Sequence, residues 1–428
     1  MEKVKIGMLG LGNVGTGVWE IMQSNYDKMK DYVGRDFEIT RILVRNPEKA
    51  RNGLLTKDTL TTRVEDILED AEIKLIIEVM GGLQPAYAYI KQALSSGKHV
   101  VTANKALISV HGKELIELAQ EKGVNLLFEA SVGGGIPIIA SLSHSLAANE
   151  IDEIVGILNG TTNYILTQMT KQGMNFDDAL KQAQEKGYAE ADPTSDVEGE
   201  DAAFKLSILT SIAFDTRVVS QDIPREGITK VSKIDIAYAA QLGYTIKLLA
   251  AAKRRDGNLE LHVHPTLIPS QHPLAAVDNE FNALFVKGNA VGDLMLYGKG
   301  AGSLPTGSAV MGDVLRVVKH IHIENGFKQK QAKTVQPLQV IGEGIGEYYV
   351  RLMVTDKPGV LGKIASTFGS YGISLASVVQ TDQGQDVIPL VFITHQVERK
   401  ELDRALEVIN NFGEVAGISS ILKVESLK

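Results

Sequence analysis

Apolar and polar positions alternate in short blocks over the first ~130 residues, the pattern of strands and helices building a parallel α/β sheet. Val4–Leu9 reads as a buried strand, followed by glycines and a helix from about Asn13 to Lys30. Further strands are expected at Glu38–Val44, Leu75–Met80, His99–Val101 and Asn125–Glu129. Helical stretches such as Gln84–Ser95 and Lys113–Glu121 lie between them and end near Gly97 and Gly123, as helix C-termini do. After Ser131 the pattern changes. Gly133-Gly134-Gly135 forms a junction, and Ile151–Leu158, Leu261–Leu267 and Asn282–Lys287 read as strands separated by long helices, a second, mixed α+β region. Lys299–Asp313 is Gly-rich and leads into a helix, Val314–His320. Lys328–Gln339 is polar, lacks periodicity and contains Pro337, which predicts a linker. The last segment reads as strand Tyr349–Val354, helix Gly359–Tyr371, strands Ile373–Asp382 and Val387–His395, helix Glu401–Asn411 and strand Val415–Val424. That βαββαβ order predicts a ferredoxin-like open-faced sandwich.

A chain of 428 residues is long enough for two or three domains with real cores. Its formal net charge of -8 argues against nucleic acid or an anionic membrane surface as partner. The absence of cysteine excludes disulfides, Cys-ligated zinc, iron–sulfur clusters and thiol catalysis. Apolar runs such as Leu75–Met80, with Glu78 inside it, fall far short of the roughly 18–20 residues a membrane span needs. Met1-Glu2-Lys3 passes straight into the first strand with no secretory apolar region, so a cytoplasmic enzyme is expected.

Gly10-Leu11-Gly12-Asn13-Val14-Gly15 is a G-x-G-x-x-G set between a strand and a helix. There the first glycine permits the tight turn and the second lets the backbone approach a pyrophosphate. The third lets the helix pack on the strand, and the helix N-terminus presents N–H groups to the anion. The strand–helix context turns a weak hexapeptide into a prediction of dinucleotide binding. Nucleotide type depends on the end of the second strand, where an acid would accept from the ribose 2′-hydroxyl. Leu43-Val44-Arg45-Asn46 stands there instead; Arg45, with Lys49 or Lys57, suits a 2′-phosphate and favours NADP over NAD, though Arg45 could equally be an ordinary surface arginine.

Thr102-Ala103-Asn104-Lys105 ends a strand where open α/β sheets bind ligands, and Lys105 falls in the first turn of the next helix. A cation opposes the helix dipole there, and a residue that breaks a local rule is a candidate for function; a solvated lysine explains it as well. Between Glu185 and Asp201 lie seven acids against Lys186 alone. A calcium loop fails, because Lys205 stands where the bidentate glutamate is needed. Asp201 and Lys205 are spaced i, i+4 and could be a surface ion pair. However, Lys205 shares a face with Ala202, Ile208 and Leu209, so partial desolvation beside a carboxylate could poise it as a general acid.

Together these motifs resemble homoserine dehydrogenase, in its monofunctional form with a C-terminal ACT domain. The resemblance rests on the glycine hexapeptide, Thr102-Ala-Asn104-Lys105 and Phe128-Glu129-Ala-Ser131-Val132-Gly-Gly134-Gly-Ile136-Pro137. It continues through Leu158-Asn159-Gly160-Thr161-Thr162-Asn163-Tyr164-Ile165, Gly187-Tyr188-Ala189-Glu190-Ala-Asp192-Pro193, Asp196…Asp201-x-x-x-Lys205 and Gly300-Ala-Gly302-x-x-Pro305-Thr306-Gly307. It implies reversible, nicotinamide-dependent reduction of L-aspartate 4-semialdehyde to L-homoserine. Carried over by position, Lys205 would be the proton donor and Lys105 would lie beside the nicotinamide and the reacting oxygen. Glu190 and Asp201 would hold the substrate, with Gly187 giving a backbone contact and Asp196 supporting the cluster. Thr102, Asn104, Lys105 and Gly302 would join the hexapeptide in the nucleotide site. Carbonyls of Glu129, Val132, Gly134 and Ile136 would hold a monovalent cation, in the family usually sodium. The implied domains are 1–130 for the dinucleotide, completed by about 301–325, and 131–300 for substrate and dimerisation. A linker, 326–348, and an ACT domain, 349–428, follow.

Val354-Thr-Asp356-Lys-Pro358-Gly359-Val360-Leu361 carries the ACT resemblance. ACT domains pair and bind small amino acids, which implies feedback inhibition by threonine and a homodimer or homotetramer; a dimerisation module without ligand is the alternative. Dehydrogenases of 2-hydroxy acids or prephenate with an ACT tail would call for a histidine acid/base, where this chain offers lysine and carboxylates. A non-catalytic dinucleotide and amino-acid sensor is the remaining competitor, and it gives no reason for the Asp201–Lys205 helix.

Overall fold

The alternating N-terminal runs fold into six parallel strands: β1 (Val4–Leu9), β2 (Phe37–Leu43), β3 (Leu60–Thr61), β4 (Ile73–Glu78), β5 (His99–Thr102) and β6 (Leu126–Leu127). Their order is β3-β2-β1-β4-β5-β6, the doubly wound arrangement, and it reverses between β1 and β4. In this computed structural model the described residues are 3–48, 57–321, 338–341, 344–381 and 386–426. They form two compact units: Met1–Ile151 with Phe204–Ser220 and Lys287–Pro337, and Asp152–Ala203 with Gln221–Val286 and Leu338–Lys428.

In the first unit Ile6, Met8, Ile42, Leu75 and Ile77 are fully buried, as expected for strands covered on both faces. Helix Asn13–Ser24 packs against helix Ser303–His320, so a segment far along the chain completes this unit. Glycine makes the approach close: a Cβ on Gly17 would lie 2.1 Å from the Ser303 carbonyl oxygen. Several expectations shift in extent. The helix expected to reach Lys30 breaks at Asn25 into Asn13–Ser24 and Tyr26–Val33. Lys113–Glu121 is the second half of helix Lys105–Glu121, and Val314–His320 the end of Ser303–His320. The strand expected over Asn125–Glu129 pairs only at Leu126–Leu127 before a 3₁₀ turn, Glu129–Ser131.

The remaining strands are β7 (Ile151–Ile157), β8 (Tyr244–Arg255), β9 (Asn258–Pro269), β10 (Phe281–Gly288), β11 (Gly292–Lys299), β12 (Gln339–Ile341), β13 (Ile345–Thr355), β14 (Leu375–Gln380), β15 (Val387–Thr394), β16 (Val397–Glu398) and β17 (Val415–Val424). All but β11 lie wholly or mainly in the second unit, where the main order is β10-β7-β8-β9-β17-β13-β15-β14. β8 falls where only helices were expected. Its Leu248–Ala252 run favours helix locally, but twelve residues pair without a bulge to β9, and tertiary pairing overrides propensity.

β13, β14, β15 and β17 with helices Val360–Ser370 and Arg399–Asn410 make the expected βαββαβ sandwich over a core of Tyr348, Val350, Leu352, Ile364, Phe368 and Phe392. It is not a separate bead. β17 pairs in parallel with β9, Lys423 opposite Thr266 and Val424 opposite Leu267, so one sheet runs through both. Buried ion pairs reinforce that seam: Lys423 to Glu260 at 2.7 Å, Lys253 to Glu425 at 2.6 Å and Arg351 to Asp235 at 2.7 Å. Most of Lys328–Gln339 lies outside the described residues. Within the expected linker 326–348, however, residues 339–341 are strand β12 beside β9 and β13 already begins at Ile345. Among the described residues no helix is long and apolar enough to cross a membrane.

Candidate active site

The turn after β1 is built around three glycines. Gly10 has φ +103°, a conformation that favours glycine, and a Cβ there would press on the Val79 carbonyl at 3.0 Å. A Cβ on Gly15 would come 2.7 Å from the Gly10 oxygen, so this position brings the helix onto the turn. Among the described residues, no atom beyond its chain neighbours lies within 4 Å of the place a Cβ on Gly12 would take. Gly12 precedes the first helical residue, and this open helix N-terminus at the reversal of strand order fits a dinucleotide pyrophosphate. Leu11 and Val14 pack on the core, while the Asn13 carbonyl accepts from the Ser303 hydroxyl at 2.7 Å, next to Gly302. Arg45 is exposed two residues past β2. Lys49 lies outside the described residues, and Lys57 begins a short 3₁₀ turn.

At the carboxyl ends of β4 and β5, one buried acid organises the second turn. Glu78, fully buried, accepts from Met80 N–H at 2.8 Å and from the Thr102 hydroxyl at 2.6 Å. Thr102 Oγ1 accepts from Asn104 N–H at 3.0 Å. Asn104 donates to the Gly82 carbonyl at 2.6 Å and caps the next helix by accepting from Leu107 N–H at 3.2 Å. Lys105 is the first residue of that helix, in the first turn as expected, and it is half-buried. One turn later Ser109 meets Ser207 of helix Glu200–Ala213, oxygen to oxygen at 2.7 Å. Ser207 gives its own proton to the Phe204 carbonyl, so Ser109 is the donor. The helices bearing Lys105 and Lys205 are thereby joined. Lys205 is buried, not a surface residue; so is Asp201, one turn earlier on the same helix.

The glycine bend also lies in the first unit. Glu129 accepts through its carboxylate from Ile139 and Ala140 N–H, at 2.8 and 2.6 Å, while its own N–H donates to Asp313 at 2.8 Å. Gly134 has φ +53° and sits where a Cβ would meet Gly300 at 2.5 Å. Burial pushes the Asp313 carboxyl up to about 7 and raises Glu129 as well, with Arg316 opposing both. Carbonyls of Glu129, Val132, Gly134 and Ile136 on a bend backed by two buried acids are oxygen donors suited to a hard cation.

In the second unit Asn159 caps helix Gly160–Gln172 and its amide donates to Asp196 at 2.6 Å and to Asp201 at 2.9 Å. The loop carrying Gly187 and Glu190 is exposed and is tied back where Thr161 donates to the Tyr188 carbonyl at 2.6 Å and Gln184 to the Glu190 carbonyl at 3.1 Å. The structure thus links Asp196 with Asp201 through Asn159, while Gly187 and Glu190 stay on the exposed loop that precedes them. Sequence reasoning did not single out Glu78, Ser109, Ser207, Asp313 or Asn159. Of these only Asn159 carried a local signal, an asparagine directly before a helix.

Models of known families match three consecutive parts of the chain: the homoserine dehydrogenase NAD binding domain at residues 10–129, homoserine dehydrogenase at 137–315 and the ACT domain at 348–414. The homoserine dehydrogenase of Bacillus subtilis is 41% identical over 99% of this chain and 99% of its own. The chain belongs to the homoserine dehydrogenase family. The Synechocystis homoserine dehydrogenase is 44% identical, covering 99% of this chain and all of its own. A crystal structure of the homoserine dehydrogenase from Thiobacillus denitrificans superposes over the whole chain and 99% of its own, with a TM-score of 0.93 and 40% identity. An archaeal homoserine dehydrogenase in complex with NADPH covers 74% of this chain and 97% of its own, at a TM-score of 0.63 and 27% identity. A NAD-binding doubly wound domain, a mixed-sheet domain and a C-terminal ACT domain are the architecture of this family member, as the sequence led one to expect.

Proposed function

We propose that the chain catalyses the reversible reduction of L-aspartate 4-semialdehyde to L-homoserine, with Lys205 as proton donor to the carbonyl oxygen. The observation that carries the reading is the Ser109–Ser207 bond joining the two helices that bear Lys105 and Lys205. The nicotinamide supplies or accepts the hydride when bound. Gly10–Gly15, Thr102, Asn104 and Gly302 cradle the nucleotide, and Arg45 favours NADP through a 2′-phosphate. Negative charge grows on the aldehyde oxygen during reduction; Lys105 stabilises it and Lys205 delivers the proton. Glu190, Asp196 and Asp201 receive the substrate's ammonium group, with the Gly187 backbone alongside. The purified chain should reduce NADP⁺ faster than NAD⁺ when given L-homoserine, read at the nicotinamide absorbance band. No homoserine-dependent signal with either nucleotide would favour the sensor.

A monovalent cation, sodium in the first place, fits the carbonyls of Glu129, Val132, Gly134 and Ile136. Exchanging sodium for choline should lower the melting temperature; an unchanged melting curve would refute the site. For the ACT domain we infer feedback inhibition by threonine. A hollow of about 330 Å³ at its first strand–helix turn, lined by Asp356, Lys357, Gly359, Leu361 and Gln380, has the size and polarity for a small amino acid. A cytoplasmic location accords with this reading.

A further inference from the structure

Asn159 is buried in extended backbone two residues past the end of β7. Its Oδ1 accepts from Thr162 N–H at 2.8 Å and from the Thr162 hydroxyl at 3.0 Å. An oxygen committed to those donors fixes which end of the amide is nitrogen, so both amide hydrogens face the other way. There they go to different residues, Asp196 Oδ1 at 2.6 Å and Asp201 Oδ2 at 2.9 Å. The position itself is tightly packed. A Cβ on Gly160 would lie 2.7 Å from the Glu280 carbonyl, and Asn163 one turn on donates to the Val277, Asn279 and Phe281 carbonyls at 3.0 to 3.1 Å.

We propose that Asn159 is a positioning residue that clamps Asp196 and Asp201 side by side as the acidic pair receiving the substrate ammonium. The proposal rests on reading those two aspartates as substrate carboxylates. Two carboxylates held together repel, and a side chain that steadies them must donate to both. A lysine or arginine would do so but would neutralise the pair and compete with the incoming ammonium. The neutral amide supplies one hydrogen to each carboxylate and adds no positive charge of its own. Helix capping alone would need only Oδ1; it gives no use for the two hydrogens.

Asn159→Ser and Asn159→Asp both keep a good helix-capping oxygen and remove the paired donors. Loss of hydrogen bonds to charged groups predicts a homoserine KM about 10–100-fold higher in Asn159→Ser. NADP⁺ affinity should stay close to the original. Asn159→Asp, which donates to neither aspartate and sets a third carboxylate beside them, should raise the homoserine KM at least as far as Asn159→Ser. A KM within about twofold of the original overturns the clamp. So does a KM rise in Asn159→Ser matched by an equal loss of NADP⁺ affinity, which would make Asn159 a general support of the fold. Asp201→Asn separates the layers. If it leaves KM unchanged, the substrate reading fails and the clamp with it; if it raises KM while Asn159→Ser does not, only the clamp fails.

Discussion

Single side chains in this molecule matter through the partner each one fixes. Lys105 stands at a helix start where a cation is unfavourable, and the Glu78–Thr102–Asn104 chain of hydrogen bonds sets that start in place. The motif showed Thr102, Asn104 and Lys105 in the sequence; it did not show Glu78, whose role depends on β4 lying beside β5. The same holds for Asp313, remote in sequence from Glu129 and bonded to its N–H. Hydrogen-bonded bridges between distant segments leave no periodic trace, and so the glycines and lysines of the site were legible while their supports were not. His99 illustrates a cost of burial. Desolvation holds it down to about 4, and its Nδ1 accepts from Asn125 N–H. The unfolded histidine takes up a proton below about 6.5 and the folded one only below about 4. Stability from this group is therefore present above pH 6.5 and lost as pH falls towards 4, up to about 3 kcal/mol. His99→Gln should flatten the fall of the urea midpoint between pH 6.5 and 4.5; an equally steep fall would refute the assignment.

At the scale of elements, strand and helix periodicity located nearly all of the nucleotide domain and the whole βαββαβ segment. It failed at β8, where a run of leucine and alanine pairs along its full length with β9. Nor could it show that β17 joins β9, because an edge pairing depends on neither strand alone. That seam alters how the ACT domain can be tested. Deleting Tyr349–Lys428 would take Arg351 from buried Asp235, and Lys423 and Glu425 from buried Glu260 and Lys253. Removing one partner of a buried pair costs about 3–5 kcal/mol, so the truncated chain should melt far lower or aggregate. An equally stable truncation would contradict the integrated sheet. Threonine sensitivity is therefore better tested with Asp356→Ala, exposed in the ACT hollow and bonded there to Gln380 at 3.1 Å. That variant should keep its melting temperature and lose inhibition. Undiminished inhibition would place the effector elsewhere or exclude it from this hollow.

For the molecule as a whole, the family assignment and the three matched regions agree with the order in which the chain carries its chemistry. The glycine turn proposed for the nucleotide comes first, the acids proposed for the substrate and Lys205 follow, and the ACT match lies after them. We infer a homodimer or homotetramer, which light scattering would show as at least twice the chain mass; a monomer across the micromolar range would contradict it. In the proposed reaction Lys205, buried on the helix it shares with Asp201, delivers the proton. The most direct measurement is kcat for L-aspartate 4-semialdehyde reduction by Lys205→Ala beside the original chain, with NADPH affinity measured on both. Loss of a positioned general acid predicts a fall of about 10²–10⁴-fold in kcat, with NADPH binding retained. A kcat within a few-fold of the original, nucleotide still bound, would contradict it.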